Sequence, residues 1–201
     1  SEWTKVSDFW DTLNITSVAT DPTDANIIYI GTGEKRGMGL KGFGVWKTSD
    51  GGSTWNQLSS STGFKWIDTI IVRDEGGVGA VYVGGGRSLS EGEYTGINGL
   101  QKSTDGGATW TEVLGEIAAG SSHHVTDLEI DSNNRLIVGT RTNTFGDGGG
   151  QIFYSDDGAV FSPYTIGALG QFDRTFVDVS PSDPNVLYAM FENASTGYIT
   201  W

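Results

Sequence analysis

Cysteine is absent from this 201-residue chain, proline occurs only 4 times, and 12 basic residues face 25 acidic ones. Without thiols there is neither a disulfide framework nor a zinc–thiolate centre. No apolar run approaches the roughly 18 residues a membrane helix needs, so membrane insertion is not expected. The formal charge of −13 repels nucleic-acid phosphates and anionic lipid, which excludes both as partners. What is abundant is glycine, 31 residues, beside 11% aromatics. That composition suits a turn-dense all-β chain with a packed core.

Those glycines concentrate in a repeat. Thr48-Ser49-Asp50-Gly51-Gly52-Ser53-Thr54-Trp55 returns as Ser103-Thr104-Asp105-Gly106-Gly107-Ala108-Thr109-Trp110, and in worn form as Ser155-Asp156-Asp157-Gly158-Ala159-Val160-Phe161, at spacings of 55 and 52 residues. A period of this length points to blades or solenoid coils. Within each octet the aspartate can accept backbone hydrogen bonds, the glycines allow positive φ, and the threonine hydroxyl can close the turn. The aromatic residue then opens the returning strand.

Around each octet the same unit recurs. An apolar strand (Ile15 to Thr20, Ile67 to Arg73, Val125 to Asp131, Thr175 to Ser180) is followed by a turn and a second strand ending near Gly31, Gly84, Gly139 or Ala189. A glycine-rich loop, a third strand, the octet and a fourth strand complete it. Four antiparallel strands per unit make a propeller blade. The expected division is an orphan outer strand over 1–7, blades over 14–59, 66–114 and 124–166, and a partial blade over 174–201. This reads as three whole blades and two partial ones of a longer ring. A closed four-blade ring completed by the N-terminal strand is the alternative.

The octet resembles the Asp-box (BNR repeat) of the sialidase-like, sortilin-like and xyloglucanase-like β-propellers. The resemblance rests on Asp50, Gly52, Thr54, Trp55, Asp105, Gly107, Thr109, Trp110, Asp157 and Phe161, and implies an all-β propeller in which these residues are structural. Together with the acidic balance and missing cysteine, it implies a secreted or bacterial cell-surface protein.

Function is expected on the face opposite the octets, where the long loops between second and third strands and the blade-to-blade connections emerge. In a binding reading, Trp10, Trp66, Tyr94 and Phe172 offer flat surfaces to sugar rings or partner side chains, with Arg36, Arg87 and Arg141 as orienting donors. Packing of Trp10 and Trp66 between blades is the competing role. In a glycoside hydrolase reading, two carboxylates must flank a sugar bond, drawn from Glu34, Glu91, Glu93, Asp147 and Asp173. The Arg-Ile-Pro segment of sialidase-like enzymes is missing. In a third reading the loops hold an extracellular protein. The expected partners are therefore a glycan or an extracellular protein, together with the remainder of the same propeller.

No cofactor and no metal site is expected. His123 and His124 are adjacent and would point to opposite faces of a strand, and the Asp21 and Asp131 turns lack the spacing of a calcium loop. Gly31-Thr32-Gly33, Gly84-Gly85-Gly86 and Gly148-Gly149-Gly150 are followed by no helix, which excludes a phosphate loop.

Overall fold

The computed structural model describes residues 14–33, 41–90, 93–165, 172–193 and 199–200, with backbone alone at residues 89, 90, 93, 94, 199 and 200. The N-terminal strand expected over residues 1–7, together with Trp10, Glu34, Arg36 and Glu91, lies outside the described residues.

Valine, isoleucine and tyrosine alternating with smaller residues produce strands throughout. The first sheet runs β1 (Ile15–Asp21), β2 (Asp24–Thr32), β3 (Val45–Thr48) and β4 (Asn56–Gln57), in that order. The second comprises β5 (Ile67–Asp74) and β6 (Gly79–Gly85). Here the chain departs from expectation, because two short strands, β7 (Arg87–Ser90) and β8 (Glu93–Gly96), pair with each other in a small separate sheet in place of the expected loop. The sheet then finishes with β9 (Leu100–Ser103) and β10 (Thr111–Glu112). A second hairpin, β11 (Glu116–Ala118) and β12 (Ser121–Ser122), bridges to the third sheet. That sheet holds β13 (His124–Ile130), β14 (Leu136–Arg141), β15 (Ile152–Ser155) and β16 (Ser162–Pro163). The fourth sheet is β17 (Arg174–Val179), β18 (Leu187–Glu192) and β19 (Ile199–Thr200), joined to the third through one backbone pairing, Arg141 with Arg174.

All strand pairings within the sheets are antiparallel, and each first strand touches the next: β1 with β5, β5 with β13, β13 with β17. This is the arrangement of successive propeller blades about an axis lined by first strands. The first three first strands carry a bulge, at Ile15/Ser17, Ile67/Thr69 and Val125/Asp127, whereas β17 has none.

The three hydrophobic clusters are the three joints between blades. Tyr29 and Val45 of blade one meet Ile70, Val72, Val81 and Val83 of blade two. Tyr82 and Leu100 of blade two meet Val125, Leu128, Leu136 and Val138 of blade three. Ile137 and Ile152 of blade three meet Val177 and Phe191 of blade four. Each fully buried side chain of this size contributes about 1.5–3 kcal/mol, so the joints rather than the isolated sheets hold the fold. The outermost faces stay open: Val18 is 64% and Tyr188 61% exposed. Among the described residues the four blades form an open sector, not a closed ring.

The octet turns behave as their chemistry dictates. The Asp50 carboxylate accepts from the Thr54 amide at 2.8 Å and from the hydroxyls of Thr54 and Thr48, each at 2.7 Å, while Thr48 Oγ1 accepts from the Gly52 amide. Asp105 repeats the pattern with Thr109 and Ser103. These bonds to the charged form pull Asp50 down to about 2 and Asp105 lower still. The third turn is one glycine shorter and lacks the threonine. Asp157 compensates by accepting the Ala159 and Val160 amides. Trp55 Nε1 caps its own turn at the Gly52 carbonyl, but Trp110 Nε1 donates across the joint to Ser60 Oγ at 3.1 Å, and Phe161 packs against the core between blades two and three.

Candidate functional site

On the face opposite the octets, the connections of blade three border a groove of about 500 Å³ lined by Ile117, His123, Gln151, Phe153, Tyr164 and Phe172, together with Gly148 and Gly150. The triple glycine makes this shape possible. Gly148 has φ of +82°, and a Cβ there would lie 2.8 Å from Ile117 Cδ1. Gly149 has φ of +119°, and a Cβ would lie 2.9 Å from the Phe172 carbonyl oxygen. Only glycine lets the backbone press this closely on its neighbours.

Hydrogen bonds hold the groove's rim in place. Gly150 N–H donates to the Phe172 carbonyl at 2.8 Å, and Thr142 N–H to the Asp173 carbonyl at 2.7 Å. Asn143 Nδ2 donates to Ser121 Oγ and the Ser122 carbonyl, fastening the loop to the β11–β12 hairpin. Within the groove, His123 meets Phe153 edge to face at 4.9 Å between centroids, and Phe172 lies against Phe191 at 4.5 Å. Burial lowers the pKa of His123, which keeps the ring uncharged at neutral pH. Among the described residues the lining thus offers aromatic surfaces, an imidazole, a phenol and an amide, and no carboxylate.

Of the residues expected on this face, Phe172 lines the groove. Arg141 stands nearby with Nη2 3.5 Å from Asp173 Oδ2, an ion pair within the rim. Arg87 borders a narrow cleft with His124, Asn143 and Phe145, and its carbonyl accepts the Thr144 hydroxyl. Tyr94 falls on β8 opposite Leu89. Trp66 corrects the stacking expectation: it is 3% exposed beneath the β7–β8 hairpin, where a Cβ on Gly96 would lie 3.0 Å from its Cε3. A ring only 3% exposed cannot receive a sugar, so Trp66 is a packing residue.

The candidate acids fare differently again. Asp147 accepts the Ser121 hydroxyl at 2.6 Å and Asp173 is held by Arg141, so both serve the rim. His124 is buried with Nε2 2.5 Å from Asp68 Oδ2, tying blade three to blade two, while His123 belongs to the groove. The Asp21 and Asp131 carboxylates cap their own turns, accepting Thr23 from the first and Asn133 and Arg135 from the second. Sequence reasoning missed Tyr164, Gln151 and Ile117. Tyr164 sits just past the worn third octet, in a stretch that reads as a plain fourth strand, and only packing turns it toward the loops.

Fold and groove together define a β-propeller with an uncharged aromatic cleft on its loop face. No family model matches the chain. A xyloglucanase of Paenibacillus sp is 31% identical over 129 residues, covering 53% of this chain and 11% of the relative. Xyloglucanase Xgh74A of Acetivibrio thermocellus is 29% identical over 185 residues, covering 86% of this chain and 20% of the relative. The chain therefore spans about a fifth or less of these curated relatives. The crystal structure of the GH74 xyloglucanase from Xanthomonas campestris superposes with a TM-score of 0.59 at 18% identity, covering 90% of this chain and 27% of that one. The chain is thus an all-β sector of propeller blades, similar in sequence to part of these xyloglucanases and in fold to a solved one.

Proposed function

We propose that this segment is a polysaccharide-binding part of an extracellular propeller, and that the blade-three groove is where the sugar chain lies. The observation that carries this reading is the groove's lining: Phe172, Tyr164 and Phe153 with an uncharged His123, the Gln151 amide and two glycines. Aromatic faces stack on the C–H faces of pyranose rings, and the few polar groups orient the hydroxyls. The curated relatives are named for action on xyloglucan, which makes that polymer the first ligand to try. Secretion or display on a bacterial surface, and an Asp-box role for the octets, belong to the same reading.

The test is isothermal titration with xyloglucan oligosaccharides, run on the chain and on folded Phe172→Ala and Tyr164→Ala variants. Each loss of an aromatic face weakens binding by about tenfold. Absence of binding to xyloglucan and to a panel of other polysaccharides would move the reading to a protein partner.

A glycoside hydrolase reading is favoured by one observation, the 86% of this chain matched by a xyloglucanase. Hydrolysis needs a pair of carboxylates, and none of the described residues that line the groove carries one. The acids would then come from Glu34, Glu91 or Glu93, or from outside this stretch. Release of reducing sugar by the chain, abolished by a carboxamide at one of these three, would establish it.

A further inference from the structure

One side chain lines two depressions of the loop face. His123 borders the groove of blade three and also the narrow cleft between blades two and three, where it stands with Gly86, Arg87, Ile97, Ser122 and Asn143. Its ring is held from two sides. Phe153 meets it edge to face at 4.9 Å between centroids, and Gly148 comes so near that a Cβ there would lie 3.8 Å from Nδ1. That nitrogen is enclosed and has no hydrogen-bond partner among the described residues.

The enclosure decides which nitrogen carries the proton. Burial keeps the imidazole uncharged at neutral pH, so one nitrogen bears hydrogen and the other a lone pair. A buried N–H with no acceptor is a rarer and costlier arrangement than an unused lone pair. The proton therefore belongs on Nε2, and the ring presents a donor rather than an acceptor. The other polar side chains of the described lining are placed differently. The Tyr164 hydroxyl already interacts with the Arg135 guanidinium, and Gln151 is exposed. His123, clamped by Phe153 and the Gly148 backbone, is the polar group oriented before any ligand arrives.

We propose that His123 is the specificity-determining donor of the groove, its Nε2–H received by a hydroxyl or ring oxygen of a neutral sugar. The neutral class follows from charge. None of the described lining residues is charged at neutral pH, Arg141 nearby is taken up by Asp173, and the formal charge of −13 repels a uronate chain. A donor fixed in advance loses little freedom on binding, and a ligand lacking the matching oxygen would leave it desolvated and unmet. This role rests on the glycan-binding reading and adds which side chain recognises the sugar.

Long-range nitrogen–proton spectra of the unaltered chain should show His123 as the Nε2–H tautomer at neutral pH, and saturation with xyloglucan oligosaccharides should slow exchange of that proton with water. An Nδ1–H tautomer, or exchange unaltered by bound sugar, overturns the proposal. In titration calorimetry His123→Phe, which keeps a ring against Phe153 and has no nitrogen, should bind the same oligosaccharides about tenfold more weakly. His123→Gln, whose amide N–H can reach the place of Nε2, should stay within about threefold of the unaltered chain, and both variants should keep its melting temperature. Undiminished binding by His123→Phe overturns the assignment and leaves the glycan-binding reading standing. A chain that binds neither xyloglucan nor any other neutral polysaccharide overturns both.

Discussion

Carboxylates of opposite tendency share this chain, and each sets a different limit of stability. Asp50 and Asp157 are held at about 2, chiefly by hydrogen bonds from Thr54 to the first and from the Val160 and Ala159 amides to the second. An acid whose folded pKa is depressed gives stability that is complete above its unfolded value near 3.8 and is lost as pH falls through the folded one. Glu129 goes the other way. Half-buried beside Asp127 and Asp178, it is raised from 4.5 to about 7, first by desolvation and then by its acidic neighbours. Its contribution is greatest below about 4.5 and declines as pH rises toward 7. The melting temperature should therefore peak between about pH 4 and 5 and fall on both sides. Glu129→Gln should flatten the decline from pH 5 to 7 and leave the acid limb in place. Asp105→Asn should weaken the acid limb and lower the melting temperature at neutral pH. A pH series of thermal melts on the three proteins checks both.

A blade becomes stable only against its neighbour, and the contact at Gly84 shows how tight that fit is. Adding one methyl puts a carbon 2.5 Å from Val125 Cγ1 and 2.9 Å from Thr69 Cγ2, within a fully buried joint. Gly84→Ala should cost about 1–3 kcal/mol in urea denaturation, the usual penalty of overpacking. Gly76→Ala, in an open turn with nothing within 4 Å of its Cβ, should cost less and by another route, since its φ of +71° strains any L side chain. The alternation of strands, the hairpin turns and the octets could all be read from residue order, because each depends on neighbours within a few positions. The role of the glycine after each second strand could not. Gly31, Gly84 and Gly139 stood in plain view as a repeat, but what they touch lies in the next blade.

Across the molecule the joints repeat as a nearest-neighbour series. Lys47 lies 5.2 Å over the Tyr29 ring and reaches toward the Gly106 carbonyl of the next octet; Lys102 lies 5.4 Å over Tyr82 and reaches toward Gly158. Each lysine ties one blade to the following turn and nothing further along. Lys47→Ala should cost about 0.5–1 kcal/mol, Lys102→Ala more, since it also loses the ion pair with Glu75 at 2.7 Å, and the double variant should equal their sum within about 0.5 kcal/mol, because the two lysines reach different octets. A larger deviation in urea denaturation would mean that the blades communicate beyond their neighbours.

The residue order by itself determined the period, the strand sequence of each blade, the octet turns and the face on which loops gather. Those features follow from local chemistry: side-chain alternation, positive-φ glycines and short-range capping. Tertiary structure alone decided that Trp66 is buried while Phe172 lines a groove, that Tyr164 joins it from a fourth strand, and that Asp147 and Asp173 are spent on holding the rim. The physical reason is common to these cases: whether a side chain is covered or spent on a partner depends on segments well outside its own turn, such as the β7–β8 hairpin over Trp66, Ser121 on Asp147 and Arg141 on Asp173.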